Sequence, residues 1–296
     1  MTNKRGKAVD TTFLSPQHAT ERGFIHRDYL AHCLRWSHVV KWLTQHRRYQ
    51  TAHVLDVGCG KEAPLAGVMF TSRMTHTTGS YTGVDYGPIE PHVKLGAKFK
   101  HRLFPKTDFA YMRNSFGAGG YDLITSFEML EHVEPMHSYM TLVRIRECLK
   151  KKGTAFISTP CYSRKMGAAD NHVNEMSVDG LHWLIERAGL RVVDGWGTFA
   201  SQADYKSEMQ DYQRWVWDHL IDYYDSNVLA CFMAPMFPFN SRNAIWEVMI
   251  DSGDEKRTDM HLTLGKAPTG PEHSSSDKWD AALKKIEKFA KQRGFI

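Results

Sequence analysis

The segment VLDVGCG at 54–60 is the feature that most constrains the fold of this chain. Its apolar residues predict a short buried strand, and its two glycines predict a tight turn directly after that strand. Without side chains at Gly58 and Gly60, a ligand can approach the backbone closely. Nucleotides bind at the carboxyl end of such a strand in α/β sheets, so the segment predicts a ligand site at this turn.

Strands and helices alternate through most of the remaining sequence. An amphipathic helix comes first, from residue 24 to about residue 46. A later helix has Ser177 as its N-cap and Gly189 just past its end. The pattern predicts an α/β fold with a seven-stranded, mostly parallel sheet and helices on both faces. The predicted strands are 52–57, 81–85, 102–104, 121–126, 154–159, 190–193 and 244–250.

Three segments depart from this alternation. Residues 1–23 are polar and are predicted to form a flexible arm, which leaves a main domain at 24–265. Residues 197–243 form an aromatic-rich insertion between the sixth and seventh strands, predicted to be a lid over the acceptor site. Residues 266–296 join a Pro/Gly/Ser-rich linker to a short basic helix, which such a linker should leave free of the core.

Charge and cysteine content limit where the chain can work. The formal net charge of +5 arises in the two end segments, so the central domain is close to neutral. The five cysteines are far apart and form no CxxC pair, which predicts reduced thiols and a cytoplasmic location. We expect no signal peptide and no membrane span, because the longest apolar run is too short to cross a bilayer.

Two carboxylates define the chemistry of the predicted ligand. Asp56, just before the glycine turn, would repel a phosphate and favour an ammonium group. Asp85 ends the second strand, where a carboxylate can accept both hydroxyls of a ribose. Adenosine joined to an amino-acid ammonium describes S-adenosylmethionine, which we therefore predict as the cofactor.

Five segments give the chain a resemblance to a known family. They are VLDVGCG (54–60), YTGVDYG (81–87), YDLITSFEMLEHV (121–133), KKGTAFISTP (151–160) and HVNEM (172–176). With them the sequence resembles the class I S-adenosylmethionine-dependent methyltransferases, and most closely the subgroup of ubiquinone-biosynthesis O-methyltransferases. The resemblance covers roughly residues 52–193 and the last strand.

The resemblance implies a cofactor-binding role for residues at the ends of four strands. The turn would hold the methionine part, Asp85 the ribose and Tyr86 the adenine side. An acid would contact the adenine amino group next to an apolar neighbour, and the end of the fourth strand would lie under the methyl group. The implied cofactor-binding residues are Asp56, Gly58, Cys59, Gly60, Asp85, Tyr86, Asp108, Phe109, Ser126, Phe127 and His132.

Two residues are candidates for catalysis. His172 follows the fifth strand and could remove a proton from an acceptor hydroxyl. Glu128, at the end of the fourth strand, is the other candidate base. A structural interpretation stays open, in which Glu175 caps the start of the next helix and His172 bonds to backbone. In relatives, the N-terminal helix closes over the cofactor, which would let Tyr29 or Arg35 reach its carboxylate.

No metal site is predicted. His132, Glu134 and His137 have a spacing that suggests ligands, but Pro135 interrupts the helix that such a motif needs.

The resulting hypothesis is methyl transfer to an oxygen, nitrogen or carbon atom of a small molecule or a sugar or lipid intermediate. One alternative is methylation of a nucleic acid or nucleotide, with the basic ends contacting phosphates. Another is a cofactor-binding protein without activity, because Glu62 stands near the place of the family's third glycine. The sequence leaves the oligomeric state open.

Overall fold

A seven-stranded sheet organises the protein, for which we analysed a computed structural model. The structure describes residues 27–46, 50–72, 79–112, 116–252 and 266–296. The strands lie in the order β3-β2-β1-β4-β5-β7-β6. All pairings are parallel except those of β7, which runs antiparallel to both β5 and β6. The strands are β1 (His53–Val57), β2 (Ser80–Val84), β3 (His101–Phe104), β4 (Tyr121–Phe127), β5 (Leu149–Pro160), β6 (Leu190–Phe199) and β7 (Asn243–Ile250).

Helices cover both faces of the sheet because alternate strand residues are apolar. In β1, Leu55 belongs to one buried cluster and Val54 to the other. The predicted fold class is therefore confirmed. The helices are α1 (Arg27–Gln45), α2 (Pro64–Thr71), α3 (Pro135–Cys148), α4 (Val178–Arg187), α5 (Gln202–Tyr205), α6 (Asp211–Leu220), α7 (Ser226–Met233) and α8 (Trp279–Gln292). None of these helices in the described segments is both long and apolar enough to cross a bilayer.

The ends of two helices test the sequence signals. Ser177 caps α4, with its hydroxyl accepting from Gly180 N at 3.1 Å, and Gly189 follows with φ of 71°, both as predicted. The basic residues Lys151 and Lys152 followed by Gly153 also predict a helix end with a glycine cap, and this prediction is wrong. Helix α3 ends at Cys148, and Leu149 adopts an extended conformation that begins β5, so Gly153 lies inside a strand.

The C-terminal segment packs on the domain, contrary to the expectation of a free helix. The face formed by Trp279, Leu283 and Ile286 is buried with α3 and α4 in the larger core cluster. Trp279 Nε1 donates to Pro268 O at 2.7 Å, which ties the linker to the same helix. An apolar residue recurs every three or four positions along α8, and this stripe outweighs the flexibility of the linker.

The insertion folds as a small helical layer on α1 and β6. Its first residues extend β6 to Phe199, and α5, α6 and α7 follow. Tyr205, Trp217 and Leu229 belong to its own buried cluster. The predicted arm at 1–23 lies outside the described residues.

Candidate functional site

The turn after β1 is built from backbone. Gly58 and Gly60 have φ of 74° and 73°, a region that glycine enters without strain. The amides of Gly58 and Cys59 donate to Val84 O at 2.8 and 3.1 Å, so the turn is fastened to the end of β2. A Cβ at Gly58 would lie 2.5 Å from Met129 Cγ. Only glycine therefore fits between the end of β2 and the segment that follows β4.

Asp56 lies behind this turn rather than on its surface. It is buried, and its two carboxylate oxygens accept hydrogen bonds from Thr125 Oγ1 at 2.7 Å and from the Tyr81 hydroxyl at 2.8 Å. Burial raises the pKa of Asp56 to about 6, although both hydrogen bonds oppose the shift. The carboxylate joins β1 to β2 and β4 beneath the site.

Asp85 links the turn to the next loop. One of its oxygens accepts from Gly60 N at 2.9 Å and the other from Gly87 N at 2.7 Å. Its carboxylate thus lies at the carboxyl ends of β1 and β2, where the sequence predicts the ribose. The sequence departs from the family pattern after Gly60, where Glu62 stands near the place of the third glycine. There Ala63 adopts a φ of 43°, and α2 begins directly after it.

The predicted adenine end combines an exposed ring with a fixed carboxylate. The Tyr86 hydroxyl donates to Asp108 Oδ2 at 2.6 Å, and Asp108 Oδ1 accepts from Ala110 N at 3.1 Å. Tyr86 is 56 % exposed, whereas Phe109 is buried against Phe116. The exposed aromatic face at this end therefore belongs to Tyr86, and Phe109 is part of the core.

The end of β4 holds a residue in an unusual conformation. Glu128 has φ of 51°, a left-handed value that few residues other than glycine adopt. Its carboxylate accepts from Ser158 Oγ at 2.8 Å and from Asn243 Nδ2 at 2.6 Å. Arg35 Nη1, from α1, lies 3.4 Å from the same carboxylate. Arg35 thus meets Glu128, and side chains from β5 and β7 hold this predicted catalytic residue in place.

The two remaining predicted residues at this end of β4 line its tip. Ser126 is buried, and within the described part of the chain its hydroxyl has no hydrogen-bond partner. Phe127 is half-buried and packs against the core cluster that includes Leu123 and Phe156.

A cluster of two imidazoles and a carboxylate follows Glu128. The rings of His132 and His172 lie 4.7 Å apart, and His132 Nε2 is 4.0 Å from Glu131 Oε1. One candidate ligand atom from each of Glu131, His132 and His172 lies within 4.8 Å of the others. Burial, and then the neighbouring His172, lower the pKa of His132. The sequence predicts roles for both histidines but none for Glu131.

The three residues whose spacing suggests metal ligands, His132, Glu134 and His137, lie in three separate environments. His137 lies 3.3 Å from Asp108 and against the ring of Tyr111, on the predicted adenine side. Glu134 pairs with Lys278 at 2.8 Å. His132 alone belongs to the cluster with His172.

Glu175 holds His172 and does not cap α4, so the predicted capping role is wrong. Its carboxylate accepts from His172 Nδ1 at 2.5 Å and from Ala169 N at 2.9 Å. Ser177 takes the capping position because its short side chain already reaches Gly180 N. The C-terminal segment fixes this loop, with Ser275 Oγ accepting from Glu175 N at 2.8 Å.

Comparisons with known proteins agree with this geometry. A model of the methyltransferase domain family matches residues 24–194, which is more than half of the chain. The ubiquinone biosynthesis O-methyltransferase of Azotobacter vinelandii is 31% identical over 130 residues, covering 40% of this chain and 49% of that protein. The Bordetella avium protein of the same name is 32% identical over 121 residues, covering 37% and 43%. The chain thus matches about half the length of these curated relatives.

Solved structures also resemble this one. Magnesium protoporphyrin IX methyltransferase from Synechocystis, with bound SAH, is 12% identical and has a TM-score of 0.48, covering 78% of this chain and 93% of that one. A SAM-dependent methyltransferase from Archaeoglobus fulgidus is 15% identical with a TM-score of 0.45, covering 78% and 97%. On the family match, the chain belongs to the methyltransferase domain family, as a class I S-adenosylmethionine-dependent methyltransferase.

Proposed function

We propose that this protein transfers the methyl group of S-adenosylmethionine to a hydroxyl oxygen of a small-molecule acceptor. One observation carries the proposal: the glycine turn and the segment after β4 are in contact, since a Cβ at Gly58 would meet Met129. A cofactor lying on the turn would therefore have its methyl group beside Glu128 and the histidine cluster. The predicted binding and catalytic residues would then serve one reaction centre.

Positioning does most of the chemical work in such a reaction. The acceptor oxygen attacks the methyl carbon, and the carbon–sulfur bond breaks with its electron pair moving to sulfur. The hydroxyl proton would pass to Nε2 of His172, whose ring Glu175 orients through Nδ1. Holding the two reactants in line can contribute about 7–11 kcal/mol to the lowering of the barrier.

The choice of an oxygen acceptor rests on the curated relatives, which are named O-methyltransferases. The insertion supports a small acceptor, because Phe239 and Ser241 at its end line a hollow with Cys161 and Tyr162. We therefore propose that residues 197–243 form part of the acceptor wall. A sugar or lipid intermediate fits the same chemistry as a small aromatic alcohol.

Charges on the C-terminal segment argue against a nucleic-acid acceptor. Lys278 pairs with Glu134 at 2.8 Å and Arg293 with Glu147 at 2.6 Å, so these cations neutralise acids of the domain. For the cell compartment we propose the cytoplasm. None of the five cysteines, all in described segments, forms a disulfide, as expected in a reducing environment.

Substitution of Asp85 tests the proposed cofactor site. Replacing a charged hydrogen-bonding partner costs roughly 1.5–3 kcal/mol, so we expect Asp85→Ala to weaken S-adenosylhomocysteine binding by about 10- to 100-fold in calorimetric titrations. Asp122→Ala is a matched control, because that acid lies at the opposite end of β4 and accepts from Lys150 and His53 N. Unchanged affinity in Asp85→Ala would remove the basis for the cofactor assignment.

A further inference from the structure

The hollow after β5 combines residues from four parts of the chain. Its volume is about 500 Å³, which suits a small molecule. Residues 161–163 after β5 and 177–179 at the start of α4 line it, together with residues 239–241 of the insertion and 272–273 of the C-terminal segment. The family match ends at residue 194, so two of these four parts lie outside it. The hollow can therefore have a selectivity that membership of the family does not define.

The hollow adjoins the predicted catalytic residues. Cys161 directly follows β5, and Ser158 of the same strand donates to Glu128 at 2.8 Å. Burial, and then the charges of Glu128 and Glu175, raise the pKa of the Cys161 thiol to about 12. Both carboxylates are therefore near the part of the wall that Cys161 forms. A molecule in the hollow would lie beside the groups that we assign to the acceptor side.

The C-terminal segment is a fixed part of this wall. Ser177 N donates to His273 O at 2.9 Å, and Ser177 Oγ lies 3.1 Å from His273 Nδ1. Met176 forms an antiparallel bridge with Ser274 and a parallel bridge with Cys161. These backbone contacts hold residues 272–273 beside the loop after β5 before any acceptor binds.

The carboxylates in the wall give the hollow a negative charge. Asp179, in the first turn of α4, and Glu272 both line it. Glu272 Oε1 lies 3.8 Å from His273 Nε2, whereas Asp179 forms no ion pair with any described residue. No lysine or arginine of the described segments is among the lining residues. A carboxylate or phosphate group in the hollow would meet repulsion from both acids.

Cations close to the hollow in the sequence do not offset this charge. Arg242 follows the lining residues of the insertion, but its Nε lies 2.8 Å from Asp204 Oδ2. Arg164 and Lys165 follow Ser163, and both are exposed and stand outside the lining. The acids of the wall are thus left to balance the charge of a bound molecule.

Aromatic rings in the wall favour the same sign of charge. Tyr162 and Phe239 both line the hollow, and Phe239 remains 46 % exposed although it packs on Trp246 at 5.4 Å. The face of an aromatic ring attracts an ammonium group, and its apolar surface packs on a flat or aliphatic body. Carboxylates and rings together suit an organic cation better than a neutral sugar.

We propose that the acceptor of this enzyme carries an ammonium group on an aromatic or apolar body. Asp179 and Glu272 balance the charge, and Tyr162 and Phe239 pack on the body. This inference rests on the proposed function, because a hydroxyl of the same molecule receives the methyl group. The ammonium group keeps its protons and takes no part in the transfer. Acceptors that bear a carboxylate or a phosphate are selected against.

Three phenols that differ only at the end of a short side chain test this preference. They are tyramine, which ends in an ammonium group, 4-ethylphenol, which is neutral, and 3-(4-hydroxyphenyl)propionate, which ends in a carboxylate. We expect kcat/KM for methyl transfer to be at least about 10-fold higher for tyramine than for the propionate, with 4-ethylphenol between them. Because salt screens charges in a partly solvated site, about 1 M NaCl should reduce this ratio.

Substitutions of the two acids assign the preference to the hollow. Glu272→Gln and Asp179→Asn should each lower the ratio of tyramine to propionate about 3-fold, and Glu272→Lys should lower it further. Glu272 is exposed enough that its variants should fold. Asp277→Asn is the matched control, because this acid of the same C-terminal segment is exposed and does not line the hollow. Its ratio should equal that of wild type.

Two results would overturn the inference. One is equal kcat/KM for tyramine and the propionate in wild type, and the other is a preference that Glu272→Gln and Asp179→Asn leave unchanged. If no phenol is methylated, ligand-observed NMR with S-adenosylhomocysteine present decides. Tyramine binding that Glu272→Lys weakens would support the hollow and count against the proposed transfer alone, whereas absence of tyramine binding would remove the inference.

Discussion

The two halves of the proposed site, the cofactor side and the acceptor side, differ in how their polar groups are satisfied. On the cofactor side, the turn after β1 and the acids Asp56 and Asp85 are hydrogen-bonded to neighbouring backbone and hydroxyls. On the acceptor side, within the described residues, Ser126 Oγ and both Glu131 oxygens have no hydrogen-bond partner. A surface that is complete before ligand arrives needs little rearrangement, whereas unpartnered buried groups need a ligand to become stable.

The halves also differ in how far along the chain their residues are spread. The proposed cofactor side consists of residues 54–110, which lie on consecutive strands and turns. The acceptor side draws on α1, β5, β7 and the C-terminal segment, since Arg35, Asn243 and Ser275 all contact it or its supporting loop. We therefore expect distant substitutions to disturb the acceptor side first, and we order the tests by their expected effect on the free energy of unfolding.

Trp279→Ala should lower the free energy of unfolding most, because it leaves a cavity in place of the ring that anchors the C-terminal segment. Trp279 is buried in the main core, and truncation of a buried tryptophan to alanine costs about 3–5 kcal/mol. Urea unfolding should show this loss. Trp215→Ala is the matched control, since that ring is 62 % exposed in the insertion and should change stability by less than about 0.5 kcal/mol.

The same variant also tests whether the halves are separable. Below the unfolding transition, Trp279→Ala should keep its affinity for S-adenosylhomocysteine while amide exchange in the loop around His172 becomes faster. Equal protection of that loop in wild type and variant would contradict the anchoring role of the C-terminal segment.

Asp56→Asn should change how stability depends on pH. Burial raises the pKa of Asp56 in the folded chain to about 6 from its ordinary value of 3.8, so between these pH values the folded state keeps a proton that the unfolded state has released. Wild-type stability should therefore fall as pH rises from about 4 to about 6, and level off above that. The shift of about two pKa units corresponds to roughly 3 kcal/mol at most.

The measurement is a pair of urea titrations of wild type and Asp56→Asn between pH 4 and pH 8. The difference between the two proteins should grow in favour of the variant as pH rises to about 6. A difference that is constant across this range would mean that Asp56 is ionised throughout and that its environment is more polar than its burial suggests.

Gly58→Ala should have the next largest effect on the free energy of unfolding, because it combines backbone strain with a steric clash. An L residue at a left-handed φ costs roughly 1–2 kcal/mol, and the new Cβ would lie 2.5 Å from Met129 Cγ. Gly117→Ala separates the two causes, because Gly117 has φ of 67° and nothing within 4 Å of an added Cβ. We expect both variants to lose stability, and only Gly58→Ala to lose S-adenosylhomocysteine affinity as well.

The difference between the halves explains what the sequence could predict. The residues of the proposed cofactor side could be predicted from the sequence because they form short contiguous motifs at strand ends, as in 54–60 and 81–87. The α/β sheet followed from the same alternation of strands and helices. For Phe109, the resemblance implied a place on the cofactor, and the structure puts its ring in the core, which local pattern alone could not decide.

The proposed acceptor side was harder to predict from the sequence, because its contacts join residues that are distant along the chain. Glu175 was interpreted as a helix cap from its place just before α4, whereas its carboxylate bonds His172 Nδ1. Glu131 stood in a quoted motif, but only the folded loop shows that its carboxylate is buried without a partner. The apolar stripe of α8 is present in the sequence, but the composition of the preceding linker led to the prediction of a helix free of the core.

Ser275→Ala should have the smallest effect on stability and the most local one. Ser275 Oγ accepts a hydrogen bond from the Glu175 backbone amide at 2.8 Å, a single half-buried hydrogen bond worth about 0.5–1.5 kcal/mol. Its loss should loosen the loop that presents His172 and lower methyl transfer more than it lowers unfolding free energy. Ser207→Ala, an exposed serine of the insertion, provides the matched control. If both serine variants retain full turnover, the C-terminal segment stabilises the fold without contributing to the acceptor side, and the two halves are more independent than their contacts indicate.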